Sequence, residues 1–189
     1  MGLERSRLVR TLVAIALVAL AAVGLRLSER QNDFEIVRGV VGRPVTLEDG
    51  TVTATDVRVG TSLSRDGEVY ATTPGLFVVV GAEIAATGRR ELPAYNARLL
   101  AGPRRYDALS GPGIGNVPPG FFSAADMAFE VDPAVLADLT LELVPAEILT
   151  GYPEHARIHL GITPDNAEAW RAAGRDQVLE PRDATSRGI

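Results

Sequence analysis

The chain has 189 residues, 46% of them hydrophobic and 23% charged, which suits one ordinary domain with a short appendage and is too little for two well-packed domains. Its formal charge is -5, and an acidic body repels phosphate backbones and anionic headgroups, which argues against nucleic-acid binding. Cysteine is absent, which excludes disulfides, thiolate metal sites and cysteine nucleophiles and leaves stability to the core.

The first ten residues are basic, with Arg5, Arg7 and Arg10 against Glu4. Thr11 to Leu25 is uncharged and apolar; as a helix at about 1.5 Å per residue it covers about 22 Å of a roughly 30 Å hydrocarbon layer. Extending it to Leu8 and Leu27 makes a span feasible, with Arg10 and Arg26 snorkelling to the two interfaces. The excess of positive charge before the run places the amino terminus in the cytoplasm and the remainder outside. A cleaved signal peptide with Ala19-Leu20-Ala21 as its cleavage site is the competing reading, and it exports the same residues. The small residues Ala14, Ala21, Ala22 and Gly24 would permit close packing against other membrane helices.

Ser28 to Asp33 is polar and reads as a tether. Beyond it the period changes to two. Ile36 to Val40 alternates imperfectly. Val45 to Leu47, the turn Glu48-Asp49-Gly50 and the Thr/Val run from Thr51 to Val59 predict a β-hairpin whose Asp-Gly pair supplies positive φ. Val52 and Ala54 fall out of phase with Val57 and Val59, which predicts a bulge near Thr55-Asp56. Thr61 to Thr73 reads as a polar loop. The next strand carries the row Leu76, Val78, Val80, Ala82, Ile84 and Ala86, one core-facing side of a central strand.

The alternation recurs at Ala97/Leu99/Ala101, Met127/Phe129/Val131, Leu139/Leu141/Leu143 and Ile158/Leu160/Ile162, separated by Gly-Pro turns, the spacing of an antiparallel sandwich. Asp132 to Asp138 predicts one helical turn. Thr163-Pro164 predicts the start of a helix, with Thr163 as its cap, that runs to Gly174. The expected organisation is a cytoplasmic tip and transmembrane or signal helix over 1–27, a tether over 28–33, an all-β sandwich over 34–163, a short helix over 164–174 and a disordered tail over 175–189.

The order GLFVVVGAEIAATGRRELP, ARLLAGPRRYDA, VPPGFFSAADMAFEVDP and LTLELVP resembles the telokin-like DUF4352 family of bacterial envelope proteins. Phe77, Arg89 and Tyr106 occupy that pattern's places, whereas Thr87 stands where an Asn is common and no Cys is present for a lipid anchor. The resemblance covers Val45 to Ile162 and implies an immunoglobulin-like fold, with ligand or protein binding as the expected role.

No catalytic constellation is visible. His155 and His159 have the i, i+4 spacing of a helical metal pair, but on a strand they lie about 13 Å apart. The segment from Gly111 to Gly120 lacks the third glycine of a dinucleotide fingerprint and the Lys of a P-loop. Ser110 has no nucleophile-elbow context. A loop calcium site using Asp49, Asp56 or Asp66 is compatible with the composition. The two basic doublets, Arg89-Arg90 and Arg104-Arg105, fall at predicted strand ends, and as neighbours they would form a patch for an anion or an acidic partner. The expectation is therefore a non-enzymatic module without catalytic, cofactor-binding or metal residues, tethered to the plasma membrane and facing a protein partner or envelope component. A structural subunit of a larger envelope complex is the alternative.

Overall fold

A computed structural model describes residues 35–109, 114–146 and 154–189. The expected transmembrane or signal helix, the expected tether and the start of the glycine-rich stretch, with Ser110, lie outside the described residues. Among the described residues no helix is long and apolar enough to cross a membrane.

Residues Glu35 to Ile189 form one compact unit, an all-β sandwich of two sheets. One sheet has five strands in the order β1 (Glu35–Val40), β9 (Glu154–His159), β8 (Thr140–Pro145), β5 (Tyr95–Ala101) and β6 (Arg104–Asp107). The other has the order β10 (Val178–Leu179), β3 (Gly50–Arg65), β4 (Glu68–Ala86), β7 (Phe121–Val131) and β11 (Thr185–Gly188), with β2 (Val45–Leu47) also paired to β3. The expected all-antiparallel pairing needs correction at two places, since β1 runs parallel to β9 and β10 parallel to β3. Those partners come from distant parts of the chain, so no short turn forces them to run antiparallel.

β4 lies between β3 and β7. Leu76, Val78, Val80, Ala82, Ile84 and Ala86 all face the main core, where they meet Leu99, Leu141, Leu143 and Ile158 from the other sheet. Val78, Val80 and Ile84 have no exposed surface, and burial of each such side chain contributes about 1.5–3 kcal/mol. The bulge occurs as expected, between Ala54 and Asp56. It turns Val59 back to the face of Val52 and Ala54, so all three join one core.

The Glu48-Asp49-Gly50 turn does not use positive φ, because neither Asp49 nor Gly50 is left-handed. Gly50 is needed for another reason: a Cβ there would collide with the Ala85 carbonyl oxygen. The expected loop from Thr61 to Thr73 is instead a continuation of the β3–β4 hairpin, closed by Asp66 (φ 53°) and Gly67 (φ 79°). Its Ser, Thr and Asp content resembles a loop, yet the ladder is a backbone interaction that such side chains do not prevent.

Asp132 caps a 3-10 turn, Pro133–Val135, by accepting from the Ala134 N–H at 2.9 Å. The later helix, α1 (Ala167–Gly174), begins three residues beyond Pro164 and has Asn166, not Thr163, at its cap position. Asn166 Oδ1 accepts from the Thr163 N–H and its Nδ2 donates to the Gly161 carbonyl, which fixes Thr163 to Asn166 as a turn leading into the helix.

The largest correction concerns the tail. Residues 175–189 are a strap that crosses the outer face of the six-stranded sheet. β10 pairs with β3, and Leu179 joins Leu63, Phe77, Val79 and Ala128 in a second apolar cluster. Further on, β11 pairs with the Phe121 to Ala124 segment of β7.

Candidate functional site

The expected arginine patch does not assemble. Arg89 and Arg90 follow the Ala86 end of β4, whereas Arg104 bonds Asp132, which follows the Val131 that pairs with Leu76 at the other end. The two doublets are about 30 Å apart at about 3.3 Å per strand residue. Arg90 donates to Asp49 at 2.5 Å and lies 2.8 Å from a Glu48 oxygen. Arg104 donates to Asp132 at 2.6 Å, an exposed pair, and the Ala134 N–H, helped by this arginine, holds the Asp132 carboxyl below its ordinary range. Arg89 and Arg105 are exposed. The three carboxylates considered for calcium also separate: Asp49 faces Arg90, Asp56 faces Arg58 and Arg182, and Asp66 sits at the hairpin tip.

Two sites emerge that no single segment announces. The first is a clasp under the strap. The Asp126 side chain is 1% exposed and lies between Arg58 and Arg182. Arg182 donates to Asp126 from its side chain and its backbone N–H and also to Asp56, both Nη2 contacts being 2.8 Å. Arg58 Nη2 contacts Asp126, while its Nε lies 3.2 Å from Asp56, too far off the N–H axis for a hydrogen bond. Burial pushes the Asp126 carboxyl up, but the bonds from Arg182 and the charge of Arg58 outweigh it and hold the group below its ordinary value. Gly81 lets this clasp lie flat, since a Cβ there would meet Asp56 and Arg182. Beside the clasp is a groove of about 910 Å³ with Leu63, Ala71 and Ala128 among its apolar lining and Tyr70 and Leu109 exposed beside it.

The second site is the outer face of the five-stranded sheet. Strand register places Arg38, Arg157, Glu142, Arg98 and Asp107 side by side across all five strands. Glu142 is buried, and Arg157 donates its Nε to Glu142 Oε1 at 2.8 Å, with Nη2 also 2.8 Å away. Arg98 donates to Asp107 at 3.2 Å. With Arg105 on the neighbouring row, the face carries Arg38, Arg98, Arg105 and Arg157 against Glu142, Asp107 and, at its rim, Asp138, a small excess of positive charge on a chain of net charge -5. His155 and His159 are both on β9 and on this face, as expected for a strand. Burial lowers the His155 pKa from its ordinary 6.5, with Arg157 and Arg98 adding to the effect and Glu142 opposing it. No described helix or strand packs over this face.

No family model matches the chain, and no curated protein matches it. Among solved structures it is similar to an uncharacterised β-sandwich protein from Clostridium difficile, at 10% identity over 67% of this chain and 95% of that one, with a TM-score of 0.45. It is also similar to a candidate lipoprotein from Bacillus subtilis, at 14% identity over 68% of this chain and 41% of that one, with a TM-score of 0.48. At these identities the likeness concerns the fold alone.

Proposed function

We propose that the protein is a non-catalytic binding module, held outside the plasma membrane by its amino-terminal apolar segment and engaging an acidic protein partner or envelope component through the outer face of the five-stranded sheet. The observation that carries this reading is the in-register row Arg38, Arg157, Glu142, Arg98 and Asp107. Within the row Arg157 is bonded to Glu142 and Arg98 to Asp107, so these four side chains are held in place before binding and a partner need not order them. The row's excess positive charge selects an acidic surface. The immunoglobulin-like classification, the kinship with the telokin-like DUF4352 family and the single-pass topology with a cytoplasmic amino terminus belong to the same proposal and rest on the sequence pattern.

The test is capture from membranes of the cells that make the protein. Full-length protein should retain a defined partner that Arg98→Glu with Arg105→Glu loses, while Arg65→Glu on the other sheet keeps it. Retention by the double variant would move the site elsewhere. A stoichiometric integral membrane partner that survives the double variant would favour the structural-subunit reading, motivated by the small residues Ala14, Ala21, Ala22 and Gly24 in the apolar run.

A further inference from the structure

One end of the five-stranded sheet's outer face is hollow. A recess of about 380 Å³ is lined by Arg38, Gly39, Leu100, Gly102, Thr140, Arg157, His159 and Asp138. Its donors converge from three strands. Arg38 on β1 is exposed and has no ion-pair partner among the described residues. Its register neighbour Arg157 is turned toward Glu142 through Nε and Nη2, which leaves Nη1 without a described partner. His159 on β9 and Thr140 on β8 are also register neighbours.

The orientation of His159 is fixed by the backbone. The Gly161 N–H donates to His159 Nδ1 at 3.0 Å, and Gly161 reaches that position with φ 77°, a conformation that suits glycine. A nitrogen that accepts a hydrogen bond carries no proton, so the ring N–H is at Nε2. Nε2 lies 3.8 Å from Oδ1 of Asp138, which also lines the recess, and this is beyond hydrogen-bond reach. The ring is therefore a donor held in place without a close acceptor. Asp138 is the one carboxylate lining the recess; its side chain is 65% exposed at the rim.

Two guanidinium groups, an oriented imidazole N–H and a hydroxyl around one small hollow match a planar or tetrahedral oxyanion. Arginine suits both shapes because its donors pair with two oxygens at once. We infer that this recess is an oxyanion subsite that takes a carboxylate or phosphate group of the ligand bound by the face. The inference rests on the reading of the face as the binding surface and adds the chemical group that enters it. Asp138 then opposes the anion and limits its affinity.

The chain has only two histidines, and they supply both a reporter and a control. Full-length protein in detergent micelles, with its histidine rings isotopically labelled, would be titrated with inorganic phosphate and separately with acetate at constant pH and ionic strength. His159 ring signals should move and saturate with at least one anion while those of His155 stay in place. Arg38→Gln should weaken that response about tenfold or more, as expected for a lost charged hydrogen bond. Asp138→Asn should strengthen it, and Asn tolerates the left-handed backbone of Asp138 (φ 62°). Arg65→Gln, on the other sheet, should change nothing. Saturation by phosphate alone identifies a phosphate-bearing ligand, and saturation by acetate alone a carboxylate.

A silent His159 with both anions, equal movement of both histidines, or an Arg38→Gln protein that responds like the wild type would overturn the subsite. If the subsite failed while Arg98→Glu with Arg105→Glu still abolished partner capture, the binding face would stand without it. If His159 responded but the double variant kept its partner, the subsite would remain and the wider reading of the face would fall.

Discussion

The two sheets treat their outer faces in opposite ways. On the six-stranded sheet, Phe77 and Val79 point away from the main core and would be bare apolar surface, but the strap covers them with Leu179 and secures itself through Arg182 and Asp126. On the five-stranded sheet a charged row lies across the middle, with Arg157 bonded to Glu142 and Arg98 to Asp107, and no described element crosses it. One face is finished by the chain itself and the other is built for water or a partner. The Phe77, Val79 and Leu179 cluster is therefore an internal contact, and the proposal for recognition rests on the exposed charged row.

This contrast can be broken most forcefully at Leu179. Leu179→Asp would place an unpaired carboxylate against Phe77 and Val79 and should cost about 3–5 kcal/mol in chemical denaturation, with the strap becoming sensitive to protease. A loss under about 1 kcal/mol would show that the strap is not part of the stabilised fold. Asp126→Asn is next. It leaves two arginines facing each other, but their side chains are 31% and 62% exposed, so water screens part of the effect and about 2 kcal/mol is expected. Because the folded pKa of Asp126 is depressed, its contribution is present above the ordinary 3.8 and is lost as pH falls through the lowered value. The wild type and Asp126→Asn should therefore converge in stability at the acid end.

The open face should behave differently. Arg105→Glu, exposed on β6, should change stability by no more than about 0.5 kcal/mol, so any loss of partner capture in that background is a loss of recognition. The smallest expected effect is at His155. Its depressed pKa means that the unfolded chain binds a proton more readily than the folded one below 6.5. Stability should fall as pH drops from that value toward the folded pKa. His155→Gln should flatten this sag in thermal midpoint below pH 6.5, and an unchanged slope would place the cause elsewhere.

The sandwich was legible because its core obeys a local rule. Alternation from Leu76 to Ala86 and in the rows around Leu99, Phe129, Leu141 and Ile158 marks the buried side of each strand without knowledge of its neighbours. The bulge near Asp56 was visible as a phase change. The strap was not legible because its polar sequence is ordered by partners far away, Leu63 and Asp126, and a single buried leucine gives no period. The charged row failed for a related reason. Arg98, Glu142 and Arg157 each occupy the outward position of a recognisable strand, and that was the available signal, but only register shows that they are neighbours. The doublets Arg89-Arg90 and Arg104-Arg105 were conspicuous because they are adjacent in sequence, and adjacency carried no information about which end of the sandwich holds each one.

The parallel pairing of β1 with β9 also constrains the order of events during folding. β1 is the first described strand, yet every residue it pairs with belongs to the last strand of its sheet to leave the ribosome. Until Glu154 to His159 arrives, Ile36 and Val40 have no partner strand, and closing so long a loop is slow. For a protein delivered amino terminus first, the edge beside the recess is thus the last part of that sheet to be sewn in. Arg38 and Arg157 meet only when the five-stranded sheet is complete, so the charged row cannot exist on a half-made molecule.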